Sequence, residues 1–312
     1  MVLGEQHGAD GSGRHTGKTS ALACFPRLCH APGVTDAVTH TGTDTRTDTV
    51  AAFLAEAEDI DALVAGLDET GWRRDTPAAG WTIAHQIAHL AWTDETAVVA
   101  ATDPTRFAEY LAAAGADPFG YVDRTAAEGA DAAPGDLLER WRCSRERLGG
   151  ILAQSDSRSR MPWFGPPMSP RSMATARLME TWAHGQDIAD ALGVRRTPTD
   201  RLRDIAHLGV RTRDYAYAVH GLPAPTAEFR IVLISPSGQL WTWGPKEGPE
   251  GGPDGRHDGN PDAVTGSAED FCLVVTQRRT PEETGLVATG AARDWLAIAQ
   301  AFAGPPARTD RP

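Results

Sequence analysis

From Asp48 to Val219, apolar side chains return at three- and four-residue steps through one segment after another. That period belongs to helices with one buried face, and several of them in succession are buried together most simply as an up-and-down bundle. Val50, Phe53, Leu54, Ala57, Ile60, Val64 and Leu67 form the first stripe. "GWTIAHQIAHLAWTDETAVVAA" follows a Pro/Gly break, with Thr82 as its expected N-cap, and "DPTRFAEYLAAAGA" reads as a shorter helix. "PGDLLERWRCSRERLGGILAQ" is expected to begin with Asp136 at the cap. After the proline-dense loop 156–168, Ser169 is the expected N-cap, Pro170 the first helical residue and Gly193 the left-handed terminator of a long helix. A further helix is expected over about 199–219.

The texture changes near residue 222. "FRIVLIS" and "QLWTWG", joined through "PSG", read as a hairpin. "AVTGS", a helix through "AEDFCLVVTQR", a strand near "GLVATG" and a helix in "ARDWLAIAQAFAG" complete a small α+β unit. The expected organisation is an N-terminal disordered extension (1–46), a helical bundle (47–222), an α+β domain (223–306) and a short disordered tail (307–312). "GSGRHTGKTS" imitates a phosphate loop, but counting back from Gly17-Lys18-Thr19 puts Ser12 where that loop needs glycine. Cys24, Cys29, Cys143 and Cys272 form no C-x-x-C pair, which points away from a thiolate zinc site and toward a reduced cytosol. Neither a signal peptide nor an apolar run of roughly 18 residues is visible, so no membrane partner is expected. The formal charge of −12 argues against a nucleic-acid partner.

Chemistry concentrates in two places. His85 and His89 lie four residues apart on one expected helix, and Glu180 and His184 four apart on another, so each pair shares a helical face. The nearest catalytic signature, H-E-x-x-H, fails because Gln86 stands where the general base belongs. In a bundle, ligands from facing helices converge on a core metal. Two imidazoles and one carboxylate suit zinc, with nickel or iron possible, and three protein ligands leave a coordination position open for catalysis. Periodicity alone does not say which histidine of the first pair ligates. Both lie off the Ile83, Ile87 and Leu90 stripe, so a metal there requires this helix to be covered on both sides. Trp81, Trp92 and Trp182 read as core aromatics, and Asp94-Glu95 as a solvated or capping pair. Trp163, Phe164 and Met168 make the 156–168 loop either a plug or a lid.

"GWTIAHQIAHLAW", followed about ninety residues later by "ETWAHGQDIADALG", resembles the DinB/YfiT-like superfamily and, within it, the mycothiol-dependent maleylpyruvate isomerase family of actinobacteria. The C-terminal unit is similar to the sterol-carrier-like domain appended in many members. The resemblance covers roughly residues 47–306 and implies His89, Glu180 and His184 as metal ligands. His85 then becomes a donor that hydrogen-bonds to a metal ligand, or a fourth ligand, and Asp187 a residue that orients a ligand or the helix.

The resemblance also implies a divalent metal, zinc foremost, and mycothiol as a thiol cosubstrate acting on a small molecule. Isomerisation and S-transfer both fit. Two other readings stay open: a hydrolase with metal-activated water and His85 as its base, and a non-catalytic small-molecule-binding protein. Monomer and homodimer are equally open.

Overall fold

Helix ends in this chain follow its capping residues closely. In the computed structural model, which describes residues 45–118, 120–245 and 262–302, the helical part runs α1 (Thr45–Val64), α2 (Glu69–Trp72), α3 (Ile83–Thr102), α4 (Pro104–Ala116), α5 (Tyr121–Ala130), α6 (Pro134–Gln154), α7 (Pro170–Leu192), α8 (Leu202–Arg211) and α9 (Arg213–Val219). α7 has both expected ends: Ser169 Oγ accepts from the Ser172 amide, Pro170 is the first residue, and Gly193 stops the helix at φ 69°. α3 starts behind Thr82 as expected.

α6 begins earlier than its sequence suggested. Pro134 is its first residue and Ala133 its N-cap, so Asp136 lies inside the first turn, where its charge favours the helix dipole. The segment expected as one helix over 199–219 is two. Thr212 leaves the helical path at φ −91° and ψ 8°, and its hydroxyl donates to the Leu208 and Gly209 carbonyls.

α2 and α5 add to the expected set. α5 buries only Tyr121, Ala126 and Gly129, too few positions for a readable stripe. It still packs along α3, and Gly129 permits the close approach: a Cβ there would lie 2.8 Å from Ala88 Cβ. With α6 and α7 also against it, α3 is covered well beyond its apolar stripe. Gln86, His89, Thr93 and Asp94 are buried alongside Ile83, Ile87 and Leu90. α1 and α7 meet tightly at Gly185, where a Cβ would fall 2.1 Å from Ile60 Cδ1.

The α+β part contains β1 (Arg230–Ile234), β2 (Leu240–Trp243), β3 (Ala263–Ser267), α10 (Ala268–Val275), β4 (Val287–Ala288) and α11 (Ala291–Leu296). Its sheet has the order β2-β1-β3-β4. The β1–β2 hairpin pairs Ile234 with Leu240, and Gly238 supplies the φ of 83° in the turn. β1 and β3 run parallel, and β3 and β4 antiparallel. Both C-terminal helices are shorter than their apolar segments: α10 stops at Val275 and α11 at Leu296.

Two apolar clusters form. One gathers Ile83, Ile87, Leu90, Trp141 and Ile188. The other runs from Phe53 through Leu178 and Tyr217 to Phe229, Leu233, Phe271 and Trp295, crossing the stretch between α9 and β1. Among the described residues no helix is long and apolar enough to cross a membrane. The phosphate-loop look-alike, Cys24, Cys29-His30, the Gly/Pro-rich insertion from Lys246 and the 307–312 tail lie outside the described residues. Of the expected extension 1–46, Thr45 and Arg46 are described, as the start of α1.

Candidate metal centre

α3 and α7 face each other in opposite directions, because residue numbers rise along one as they fall along the other: Gln86 meets His184, His89 meets Glu180 and Asp94 meets Arg177. This brings three of the expected ligands together. One donor atom each from His89, Glu180 and His184 lie within 4.8 Å of one another. Glu180 Oε2 is 3.2 Å from His184 Nε2 and 3.6 Å from His89 Nε2. Donors about 2.0–2.2 Å from a tetrahedral zinc stand about 3.3–3.6 Å apart, so these two separations suit that ion. The Glu180 side chain is 25% exposed, against 9% for His89 and 12% for His184, so the carboxylate is the most exposed of the three donors.

The hydrogen bonding around His184 makes the case for a cation. Thr76 donates its hydroxyl to the Trp81 carbonyl at 2.8 Å and must therefore accept from Gln86 Nε2, also at 2.8 Å. That turns Gln86 Oε1 toward His184 Nδ1, 2.5 Å away, and an amide oxygen can only accept, so Nδ1 carries the proton. Burial lowers the His184 pKa to about 4, despite Glu180, and the ring is neutral at pH 7. Its bare Nε2 lone pair then faces a carboxylate. Two electron-rich atoms 3.2 Å apart suit a cation between them. His89 Nδ1, by contrast, is buried and has no partner among the described residues.

Gln86, unsuited to be a base, thus acts as the orienter of a ligand, a role that only the facing helix could reveal. We predict that Gln86→Leu lowers zinc affinity about 10–100-fold while the helical content persists. A competition titration against a chromophoric chelator checks this, and wild-type affinity would detach Gln86 from the site.

His85 is drawn away from the cluster. Its Nδ1 takes the Thr82 amide at 3.3 Å and meets the Thr82 hydroxyl at 2.8 Å, serving the N-terminus of α3. Asp187 accepts from Arg278 Nη2 at 2.8 Å and lies 3.9 Å from His184 Nδ1. Arg278 also donates to the Ala183 carbonyl, so the α+β part grips α7 on both sides of His184. Gln277, at φ 61°, turns the chain just before this arginine.

Several aromatic and acidic residues depart from expectation. Trp182 is a core residue, but Trp81 is half-buried, stacked on His184 at 5.8 Å and 15°, with its indole N–H donating to Asp123. Trp92 is also half-buried, 6.1 Å from the His89 ring. The 156–168 loop packs its aromatic side chains against the helices. Met161 and Met168 pair their backbones at its base, and Trp163 and Phe164 fill the space beside Phe107, Tyr121 and Trp92. Asp94 is not a solvated or capping residue: it is fully buried against Arg177. Glu95 receives both arms of Arg140, at 2.8 and 2.7 Å. The solvated reading fails because α7 brings Arg177 to Asp94 and α6 brings Arg140 to Glu95.

Comparisons with known proteins agree with this architecture. An uncharacterized protein of Mycobacterium tuberculosis, found in two strains, is 55% identical over 261 residues, covering 83% of this chain and 96% of the relative. The crystal structure of a mycothiol-dependent maleylpyruvate isomerase shares the fold, with a TM-score of 0.50 and 15% identity over 76% of this chain and 90% of that one. Its histidine-to-alanine mutant gives a TM-score of 0.51 and 16% identity, over 75% and 90%. The family model for the mycothiol maleylpyruvate isomerase N-terminal domain matches residues 53–189, a span that contains every residue of the candidate metal cluster. The chain belongs to the mycothiol maleylpyruvate isomerase N-terminal domain family.

Proposed function

We propose that this chain is a divalent-metal enzyme, best suited to zinc, that uses mycothiol as nucleophile to isomerise a small electrophile or to transfer sulfur onto it. The observation that carries the proposal is the meeting of His89 Nε2, Glu180 Oε2 and His184 Nε2 within one coordination sphere's breadth. Three protein donors leave a position for an incoming ligand. Family membership supports a thiol as that ligand, because the relative with the shared fold is named for its dependence on mycothiol.

A dication held by His89, Glu180 and His184 would supply Lewis acidity, favouring the thiolate form of a thiol whose unperturbed pKa is about 8.5. The chain's own residues supply the rest. Gln86 holds the His184 tautomer, Arg278 and Asp187 brace the turn of α7 that carries it, and Trp81 covers one face of its ring. The sulfur then adds to a conjugated double bond and leaves after rotation about the resulting single bond, or it displaces a leaving group and stays attached. His85 Nδ1 accepts from the Thr82 amide at the α3 cap, which weighs against His85 as the base of the hydrolase alternative.

The test is turnover of zinc-loaded protein with maleylpyruvate and with a thiol-alkylating probe, each with and without mycothiol. Product formation that requires mycothiol is expected. Hydrolysis of the same substrates at equal rate without thiol would replace this reading with water as the nucleophile.

A further inference from the structure

Deep between the two ligand-bearing helices lies an ion pair that the proposed chemistry does not use. Asp94 is 0% and Arg177 2% exposed, and Arg177 Nε donates to Asp94 Oδ1 at 2.8 Å. The pair is incompletely satisfied: among the described residues neither Asp94 Oδ2 nor Arg177 Nη2 finds a hydrogen-bond partner. Trp141 leans toward Asp94 and helps to hold its charge without closing a hydrogen bond. The Thr181 hydroxyl, one turn beyond Arg177, is likewise buried and unpartnered. Burial pushes the Asp94 carboxyl above its ordinary value even with Arg177 beside it, so the ionised pair is a cost to the fold at neutral pH. A well-packed apolar pair of similar volume is often neutral or stabilising in such a place.

Position explains what stability does not. Asp94 lies five residues beyond His89 on α3, and Arg177 three residues before Glu180 on α7. A slip of one helical turn moves a side chain about 5.4 Å along the axis. It would strand a carboxylate and a guanidinium apart in the core, and it would also carry Glu180 and His184 away from His89. Buried polar residues that fix register at a cost in stability are known from coiled coils.

We propose that Asp94 and Arg177 are positioning residues, a register lock that holds α7 against α3 so that the three donors converge. The inference rests on the metal reading of that cluster. Three proteins test it by zinc affinity, from chelator competition, and by thermal midpoint: wild type, Asp94→Leu/Arg177→Met and Asp94→Asn/Arg177→Gln. The apolar pair should keep or raise the thermal midpoint while binding zinc about 10–100-fold more weakly, in line with the loss of supporting contacts around a metal ligand. The neutral polar pair, which can still hydrogen-bond across the helices, should stay within about threefold of wild type if it retains the register. Wild-type zinc affinity in a folded apolar double variant overturns the proposal, as does a collapsed thermal midpoint there, which would make the pair a stabilising element instead. Should wild type itself take up no zinc, the metal reading fails, and this inference with it.

Discussion

On the proposed metal reading, the wild-type protein should carry roughly one equivalent of divalent metal and His184→Ala should purify without it. The substitution removes one of only two imidazoles, leaving Glu180 and His89 to grip an ion with two bonds. It also strands Gln86 Oε1, which has His184 Nδ1 as its partner. Thiol-dependent turnover should fall to the uncatalysed background. The chain should remain folded, because most single substitutions cost about 0.5–3 kcal/mol, less than the stability of a typical domain. Elemental analysis after dialysis and circular dichroism of the same sample read the two outcomes separately. Metal content equal to wild type in a folded variant would remove the site altogether.

Trp141→Ala should cost about 3–5 kcal/mol, the range for deleting a large aromatic from a packed interior. Trp141 is fully buried on α6, in the cluster of Ile83, Ile87 and Leu90, and the Arg145 guanidinium lies 4.6 Å over its ring. Arg145 in turn donates to Asp61 at 2.9 Å and to the Ala57 carbonyl at 3.1 Å, so the indole supports a chain of contacts reaching α1. Removing it opens a void beneath the helix that carries His89 and loosens the arginine above. Urea denaturation followed by tryptophan fluorescence and circular dichroism measures the loss. A midpoint shift equivalent to less than about 1 kcal/mol would mean that the neighbours collapse into the gap, and that this cluster is far more plastic than a close-packed interior.

Much of this architecture was legible from spacing and caps, and the reasons are local. Ser169, Pro170 and Gly193 act on the backbone within a few residues of themselves, so they mark the ends of α7 without knowledge of its neighbours. α5 escaped notice because it needs only three buried positions, held against α3 through Gly129. Asp94 was misread for a related cause. Its charge argues for water until α7 brings Arg177 to meet it, and no local signal encodes that encounter.

The same division runs through the metal cluster. By itself the sequence determined that His85 and His89 share one helical face and that Glu180 and His184 share another, since the helical period alone dictates it. The family resemblance singled out His89, and the fold supplies the physical reason: His85 is occupied by the start of its own helix, while His89 lies against α7. Only the tertiary structure decided that Gln86 would hold His184, that Arg278 would reach across from the sheet's side, and that a buried ion pair would span the same two helices. Period tells which residues travel together on a helix. What they meet depends on how two helices rotate and slide against each other, and that is settled by the packing of the whole core.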